Sequence, residues 1–298
     1  MNGKRILHEH VGFSWQREDN STPSWVPQGI TGLRRDDKRY VVISWYGSKA
    51  YRKKGVRVSL VDVSGARRIK YRHVLLVQPA ASGSRYSLFE PIKVHAGGLA
   101  SRRNMIFAAD TKRGVRVFDA NRLFRAQPDR SRTRCGIVDG KAYAFDYRYI
   151  LPQAGMYELK GPPRFSFASM DWSEESAPSL LMGNYHRPPR YDNPPPTLSW
   201  WKLDGTRIVE GLRQVTHDRW RVQGAVAHGD HIWLSCSGRT PRLLESKEPF
   251  AEFTTYDWPT GCEDLHYSPY SGNMWCLTEP RNNRFVFAVR RRDYESIV

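Results

Sequence analysis

Two residues of this sequence have the chemistry of an acid–base pair: His95, which opens HAGGLA, and Glu263, in CEDLHY. An imidazole with one ring nitrogen tied to backbone can present the other to a ligand. A carboxyl within reach of it can exchange a proton with it. At corresponding points of similar segments stand Gln28, Asp171, Gln223, Asp264 and His266. At the ends of the runs that follow stand Trp45, Asp110, Asn184 and Glu279. Brought together, these side chains would line a polar, acidic pocket for a small polar or carbohydrate-like ligand. The same pocket would serve a hydrolase or lyase using His95 and Glu263, with or without a metal. Glu263 and Asp264 are adjacent, so on a strand they point to opposite faces. One would face the pocket and the other would anchor a neighbouring element.

Asp110 lies between FAA and TKRG and reads first as a turn aspartate capping backbone N–H groups. Its alternative is a Ca²⁺ ligand completed by Glu279 or by backbone carbonyls. No DxDxDG loop is present, so calcium would have to be assembled from separate segments. GxSxG, P-loop and Rossmann signatures are absent, which argues against the familiar serine-esterase, nucleotide-kinase and dinucleotide chemistries. Trp45, Tyr46, Trp172 and Tyr185 fall near loops and could form an aromatic platform, although packing accounts for such residues equally well. Trp200 and Trp201 must face opposite sides of one strand.

The elements that would position these residues are repeats. A segment of small residues around one aliphatic anchor recurs as PQGITG, HAGGLA, FASMDW, VQGAVA and CEDLHY. Each is followed by an apolar run (RYVVISWYG, NMIFAAD, SLLMGNY, HIWLSCSG, NMWCLTE) and then by a third run, clearest in GVRVSLVDV and GVRVFDA. YRHVLLV and YRYILPQ supply fourth runs in the first two units. The anchors Ile30, Leu99, Met170, Val226 and Leu265 are 69, 71, 56 and 39 residues apart, a mean of about 59. Five such units fill the 298 residues. A small antiparallel meander buries little surface alone, and stacking several radially covers both faces of each sheet. The expected fold is therefore all-β: a five-bladed β-propeller, one domain over residues 1–298, with small residues crowding the axis and bulkier ones between sheets. Residues 6–16 would supply the fourth strand of the last unit and close the ring. A six-bladed ring is the alternative and would hide a blade within 121–141 or 185–197. Proline in YHRPPRYDNPPP marks the second of these as a surface loop.

Composition agrees. Aromatic residues make up 12% of the chain, with 10 Trp, enough to build a core despite the low mean hydropathy. The balance of 47 Lys and Arg against 30 Asp and Glu gives a net charge of +17. Thirteen of these cations lie within residues 34–72, a stretch that reads either as a solvated basic surface or as a polyanion-binding scaffold. Lys4 and Arg5 are followed by no apolar core of a signal peptide, and no run approaches a membrane span. The expectation is a soluble monomer, cytoplasmic as the sequence stands and secreted if a signal has been trimmed. Cys135, Cys236, Cys262 and Cys276 form no CxxC pair and read as buried free thiols, with a disulfide as the alternative.

HAGGLASRRNMIFAADTKRGVRVFD, residues 95–119, resembles blades of the six-bladed NHL and gluconolactonase type, in which a small-Gly-aliphatic segment precedes a strand and an Asp. WVPQGITG, YRHVLLV, YRYILPQ and DLHYSPYSGNMW also resemble segments of uncharacterised, often secreted, propeller-like proteins of actinobacteria. The resemblance implies a propeller. It brings no activity, and the metal ligands of gluconolactonases have no counterparts in this sequence.

Overall fold

The computed structural model describes residues 10–65, 69–159, 164–188, 195–248 and 250–296. Lys4, Arg5, Ile6, Leu7, Arg67, Arg68 and the centre of the proline-rich loop lie outside them. Five antiparallel meanders follow one another along the chain. The first blade comprises Trp25–Arg35, Lys38–Gly47, Val56–Asp62 and Lys70–Pro79; the second, Leu99–Arg102, Met105–Asp110, Gly114–Asp119 and Tyr149–Glu158. The third comprises Phe165–Asp171, Ser179–Asn184, Thr197–Asp204 and Arg207–Thr216; the fourth, Val222–His228, His231–Cys236, Arg242–Lys247 and Thr254–Asp257. The fifth takes Cys262–Ser268, Asn273–Thr278 and Phe285–Arg290 from the C-terminal end and His10–Ser14 from the N-terminal end. That last pairing is antiparallel, from His10 opposite Val289 to Ser14 opposite Phe285, and it closes the ring. The fold is a five-bladed β-propeller. Residues 121–141 hold no sixth blade: the hairpin Cys135–Val138/Lys141–Ala144 is a two-stranded insertion between the third and fourth strands of blade two.

Each blade is apolar on both faces, because alternate residues of a strand point to opposite sides and both sets are apolar. Five apolar clusters result, one per seam. Val41, Ile43 and Trp45 face Leu277 and Val286 of blade five, whereas Val42 between them faces Leu99 and Ile106 of blade two. Leu180 and Met182 meet Phe107 and Val117; Leu181 meets Ala225 and Leu234. Val226 and Trp233 pack on Leu265 and Cys276. Trp200 belongs to the seam of blades three and four, while Trp201 packs on the opposite side beside Phe165. The four cysteines are buried and free.

The five inner strands contact one another in a closed circuit around the axis, with all five aliphatic anchors buried on them. There the backbones come too close for side chains. A Cβ on Gly224 would stand 2.5 Å from the Leu265 nitrogen, and one on Gly29 would stand 2.9 Å from the Leu99 nitrogen.

The seam between blades five and one carries an additional clasp. The short helix Arg17–Ser21 places Asp19 against Arg57 (2.7 Å), Tyr71 (2.7 Å) and His73 (3.0 Å). Arg284 of blade five donates to the carbonyls of Asp19 and Thr22. His73 Nδ1 meets Ser59 Oγ at 2.9 Å, so Ser, His and Asp stand in a row. Ser59 is fully buried and accepts the Trp45 indole N–H, which makes the row a structural relay rather than a nucleophile. Burial raises the Asp19 pKa, but hydrogen bonding to His73 and the charges of His73 and Arg57 outweigh it and hold the carboxyl well below its usual 3.8. Among the described residues no helix is long and apolar enough to cross a membrane.

Two outcomes are expected. Gly224→Ala should lower stability in urea unfolding by about 2 kcal/mol, because backbone rather than a movable side chain blocks the new methyl. Asp19→Asn should lower it by about 3 kcal/mol at neutral pH, as for other broken buried pairs. A depressed carboxyl stabilises the fold above its unfolded pKa and ceases to do so as pH falls toward its folded one. The deficit of Asp19→Asn should therefore shrink as pH drops below 3.8.

Candidate functional site

Four of the five inner strands are interrupted by a β-bulge near their N-terminal end. The register shifts between Pro27 and Ile30, Phe165 and Phe167, Val222 and Gly224, and Cys262 and Leu265. A bulge leaves its extra residue unpaired and re-aims its side chain. The residues released are Gln28, Ser166, Gln223 and Glu263, and all four line one cavity of about 640 Å³. In blade two the inner strand begins only at Leu99, and His95 reaches the same cavity from the preceding segment. The ends of second strands add Tyr46, Asp110 and Glu279, and Tyr185 follows directly after a fourth.

At the base of this mouth Glu263 is 3% exposed and accepts a hydrogen bond from Gln223 Nε2 at 3.1 Å. Burial, then the charge of Glu279 and a hydrogen bond to it, raise the Glu263 pKa well above the usual carboxyl range. Of the two carboxyls at this mouth, Glu263 is therefore the one biased toward its protonated form. Gln28 Nε2 donates to Glu279 Oε2 at 3.4 Å and to the Pro27 carbonyl at 2.9 Å. Tyr46 lies against His95 with ring centroids 4.5 Å apart. Burial, followed by the charges of Glu279 and Glu263, raises the Tyr46 pKa. His95 is open to the cavity; the protein around it lowers its pKa below 6.5 against the opposing charge of Glu279, so the ring is neutral at pH 7. The floor therefore offers phenol, imidazole, amides and two carboxyls, of which Glu263 is the harder to ionise.

Of the eleven residues singled out in the sequence, the cavity gathers His95, Glu263, Gln28, Asp110, Gln223 and Glu279. Asp110 reaches it already paired: Oδ2 meets Arg116 Nε at 2.8 Å, both side chains buried, and Oδ1 accepts the Lys112 N–H at 3.1 Å. That arrangement fits the turn aspartate and leaves no free carboxylate for Ca²⁺. Among the described residues no group of three or more His, Cys, Asp or Glu could hold a metal ion. Trp45 is turned into the seam of blades five and one, its N–H bonded to Ser59 at 2.8 Å. Asn184 is buried and accepts the Thr197 N–H. Asp171 lies at the opposite end of its inner strand, where it accepts the Trp200 N–H at 2.7 Å. Asp264 faces the axis, and its Oδ2 accepts the N–H groups of Ile30 and Leu99 at 3.0 Å each.

His266 opens onto a second cavity, about 500 Å³, at the other end of the inner strands, with Trp172, Trp275, Tyr40 and Tyr270. Burial takes the His266 pKa to about 4. This mouth is more apolar, and neither Glu263 nor Glu279 lines it. The basic stretch 34–72 does not make one footprint: Arg34 and Arg39 border the second mouth, Lys49 and Arg52 the first, and Lys54, Arg57 and Arg72 a third concavity. Sequence reasoning missed Lys93, Lys112 and Arg164 at the first mouth, and took Lys49 and Arg52 only as part of the basic stretch 34–72. Their signal was position: Lys93 and Lys112 each lie two residues from a residue already singled out, and Arg164 directly precedes an inner strand.

No family model matches this chain, and no curated protein does. The NHL, gluconolactonase and actinobacterial resemblances are thus unsupported beyond the propeller itself, and the ring has five blades where the first two types have six. Among solved structures, the GH43_1 enzyme from Xanthomonas citri is similar at 11% identity and TM-score 0.49, with 94% of each chain covered. Its complex with xylotriose gives 11% and 0.44, covering 91% of this chain and 90% of that one. The Kuenenia stuttgartiensis hydrazine synthase gives 11% and 0.43, with 97% of this chain and 67% of that one. Likenesses at this level carry no argument about activity, and the blade count rests on the strand pairing above.

A protonated carboxyl at neutral pH should show as an infrared C=O band of a protonated acid that disappears in Glu263→Gln. A carboxyl whose pKa is raised in the fold makes stability fall as pH climbs above the usual 4.5. Urea unfolding between pH 4 and 8 should show that decline in the wild type and a smaller one in Glu263→Gln.

Proposed function

We propose that this protein binds a small polar, carbohydrate-like ligand in the mouth lined by Gln28, His95, Gln223, Glu263 and Glu279. The observation that supports this best is the convergence of the carboxyls of Glu263 and Glu279 with the amides of Gln28 and Gln223 on one concave surface, each amide hydrogen-bonded to one of the carboxyls. A sugar hydroxyl both donates and accepts, and such a floor answers it with acceptors and donors side by side. Tyr46 and Tyr185 add aromatic surface of the kind that covers the apolar face of a sugar ring. A volume of about 640 Å³ falls within the range of small-molecule sites.

Turnover by His95 and Glu263 has less support. No hydrogen bond joins them among the described residues, and the charge acting on His95 is that of Glu279.

Calorimetric titration with a panel of oligosaccharides tests the reading. At least one should bind, and Glu279→Gln should weaken it about tenfold or more, equivalent to about 1.4 kcal/mol. His266→Ala at the opposite mouth should leave the affinity unchanged. Binding that survives Glu279→Gln intact and fails in His266→Ala would place the ligand elsewhere and defeat the proposal.

A further inference from the structure

We infer that the ligand of this mouth is an acidic oligosaccharide, its hydroxyls on the amide and carboxyl floor and its carboxylate, phosphate or sulfate groups against a cationic arc. The inference rests on the binding reading above and adds the charge and orientation of the ligand.

The cavity is polarised. Lys49 and Arg52 come from the loop between the second and third strands of blade one, and Lys93 from the segment leading into blade two. Lys112 comes from the turn after Asp110, and Arg164 from the residue before blade three. All five are exposed and line the same cavity. None makes an ion pair within 4.0 Å among the described residues, whereas exposed cations elsewhere do: Arg113 with Glu158 at 2.6 Å, Lys202 with Glu210 at 2.8 Å, and Arg132 with Asp146 at 2.9 Å. The one carboxylate on their side of the cavity, Asp110, is already engaged by Arg116.

The opposite side is different in kind. Blades four and five contribute Gln223 and Glu263 from their inner strands and Glu279 from just after the second strand of blade five, and no cation. Burial and the neighbouring charge of Glu279 bias Glu263 toward its protonated form, which reduces the negative charge that could offset the arc. Five unpaired cations therefore stand across from a floor suited to neutral hydroxyls. Several like charges converging on a concave wall concentrate the field there and favour an anion, and charge-assisted hydrogen bonds to carboxylate or phosphate exceed neutral ones in strength. A neutral sugar would leave the arc unanswered; a bare anion would leave the floor unanswered. An acidic sugar answers both.

Titration calorimetry at low ionic strength with matched pairs separates the sources of negative charge. The pairs are trigalacturonate against its methyl ester, glucose 6-phosphate against glucose, and a sulfated chondroitin tetrasaccharide against its desulfated form. In at least one pair the acidic member should bind ten times tighter or more, and its affinity should fall with added salt. The double variant Lys93→Gln/Arg164→Gln, with an unchanged melting temperature, should lose most of that preference while keeping the affinity for the neutral member. Equal binding of acidic and neutral members overturns the acidic class and leaves the carbohydrate reading standing. Absence of binding by every member overturns both. An acidic preference undiminished in the double variant, or tighter binding of a short single-stranded oligonucleotide, assigns the cations to a different role and overturns the inference alone.

Discussion

One carboxyl oxygen ties three blades together at the centre of this ring. Asp264 of blade five is fully buried, and its Oδ2 takes the N–H groups of Ile30 in blade one and Leu99 in blade two at 3.0 Å each. Inner strands of a propeller present backbone groups to the axis that no neighbouring strand can pair. Left unbonded in the interior, each costs about 1–3 kcal/mol. Small residues permit the approach: Gly29 lies against Gly98 and Leu99, and Gly224 against Asp264 itself. Complete burial pushes the Asp264 pKa up, against the backbone N–H groups of Ile30, Leu99 and Leu265, which pull it down. The same crowding fills the middle of the axis and leaves two separate mouths, one above and one below.

The candidate site follows from that crowding through the bulges. A strand that must let another backbone pass closely at Gly29 or Gly224 departs from regular pairing just before it, and the released residue turns outward along the axis. Gln28, Gln223 and Glu263 reach the cavity in this way, while Asp264, one position further on, reaches the axis. Cavity-lining residue and structural anchor are neighbours in sequence because a strand reverses its face at every step.

Much of this could be read from the amino acids alone. The small-residue segments, the five-fold count and the closure by the two chain ends all follow from periodicity, since each run alternates between two apolar faces. Parity was harder. Trp45 stands at the end of its strand as expected, yet Tyr46 lines the cavity and Trp45 enters the seam. A shift of one residue exchanges faces, and the bulges that set the phase depend on pairing with another strand. Asp171 marks the end of its inner strand opposite to Ser166 and lines neither mouth, while His266 opens on the second, because strand ends alone do not tell one side of the ring from the other. The partner of Asp110 is a diagonal neighbour: Arg116 pairs with Ala108, and Asp110 with Gly114. That pairing explains how a carboxylate at the mouth is neutralised from within its own hairpin.

The outer edge of the ring is not uniform. Leu75, Leu76 and Val77 of blade one run parallel to Ile150, Leu151 and Pro152 of blade two, so the strand that completes blade two also continues the sheet of blade one. Among the described residues no other pair of blades is joined by a strand-to-strand ladder. Two consecutive blades therefore share one continuous sheet along their outer edge. Lys49, Arg52, Lys93 and Lys112 belong to this pair of blades and the segments beside their strands, whereas Gln223, Glu263 and Glu279 belong to blades four and five, whose sheets are separate. Most of the cationic side of the cavity is thus mounted on one sheet, and its carboxyl side on two others.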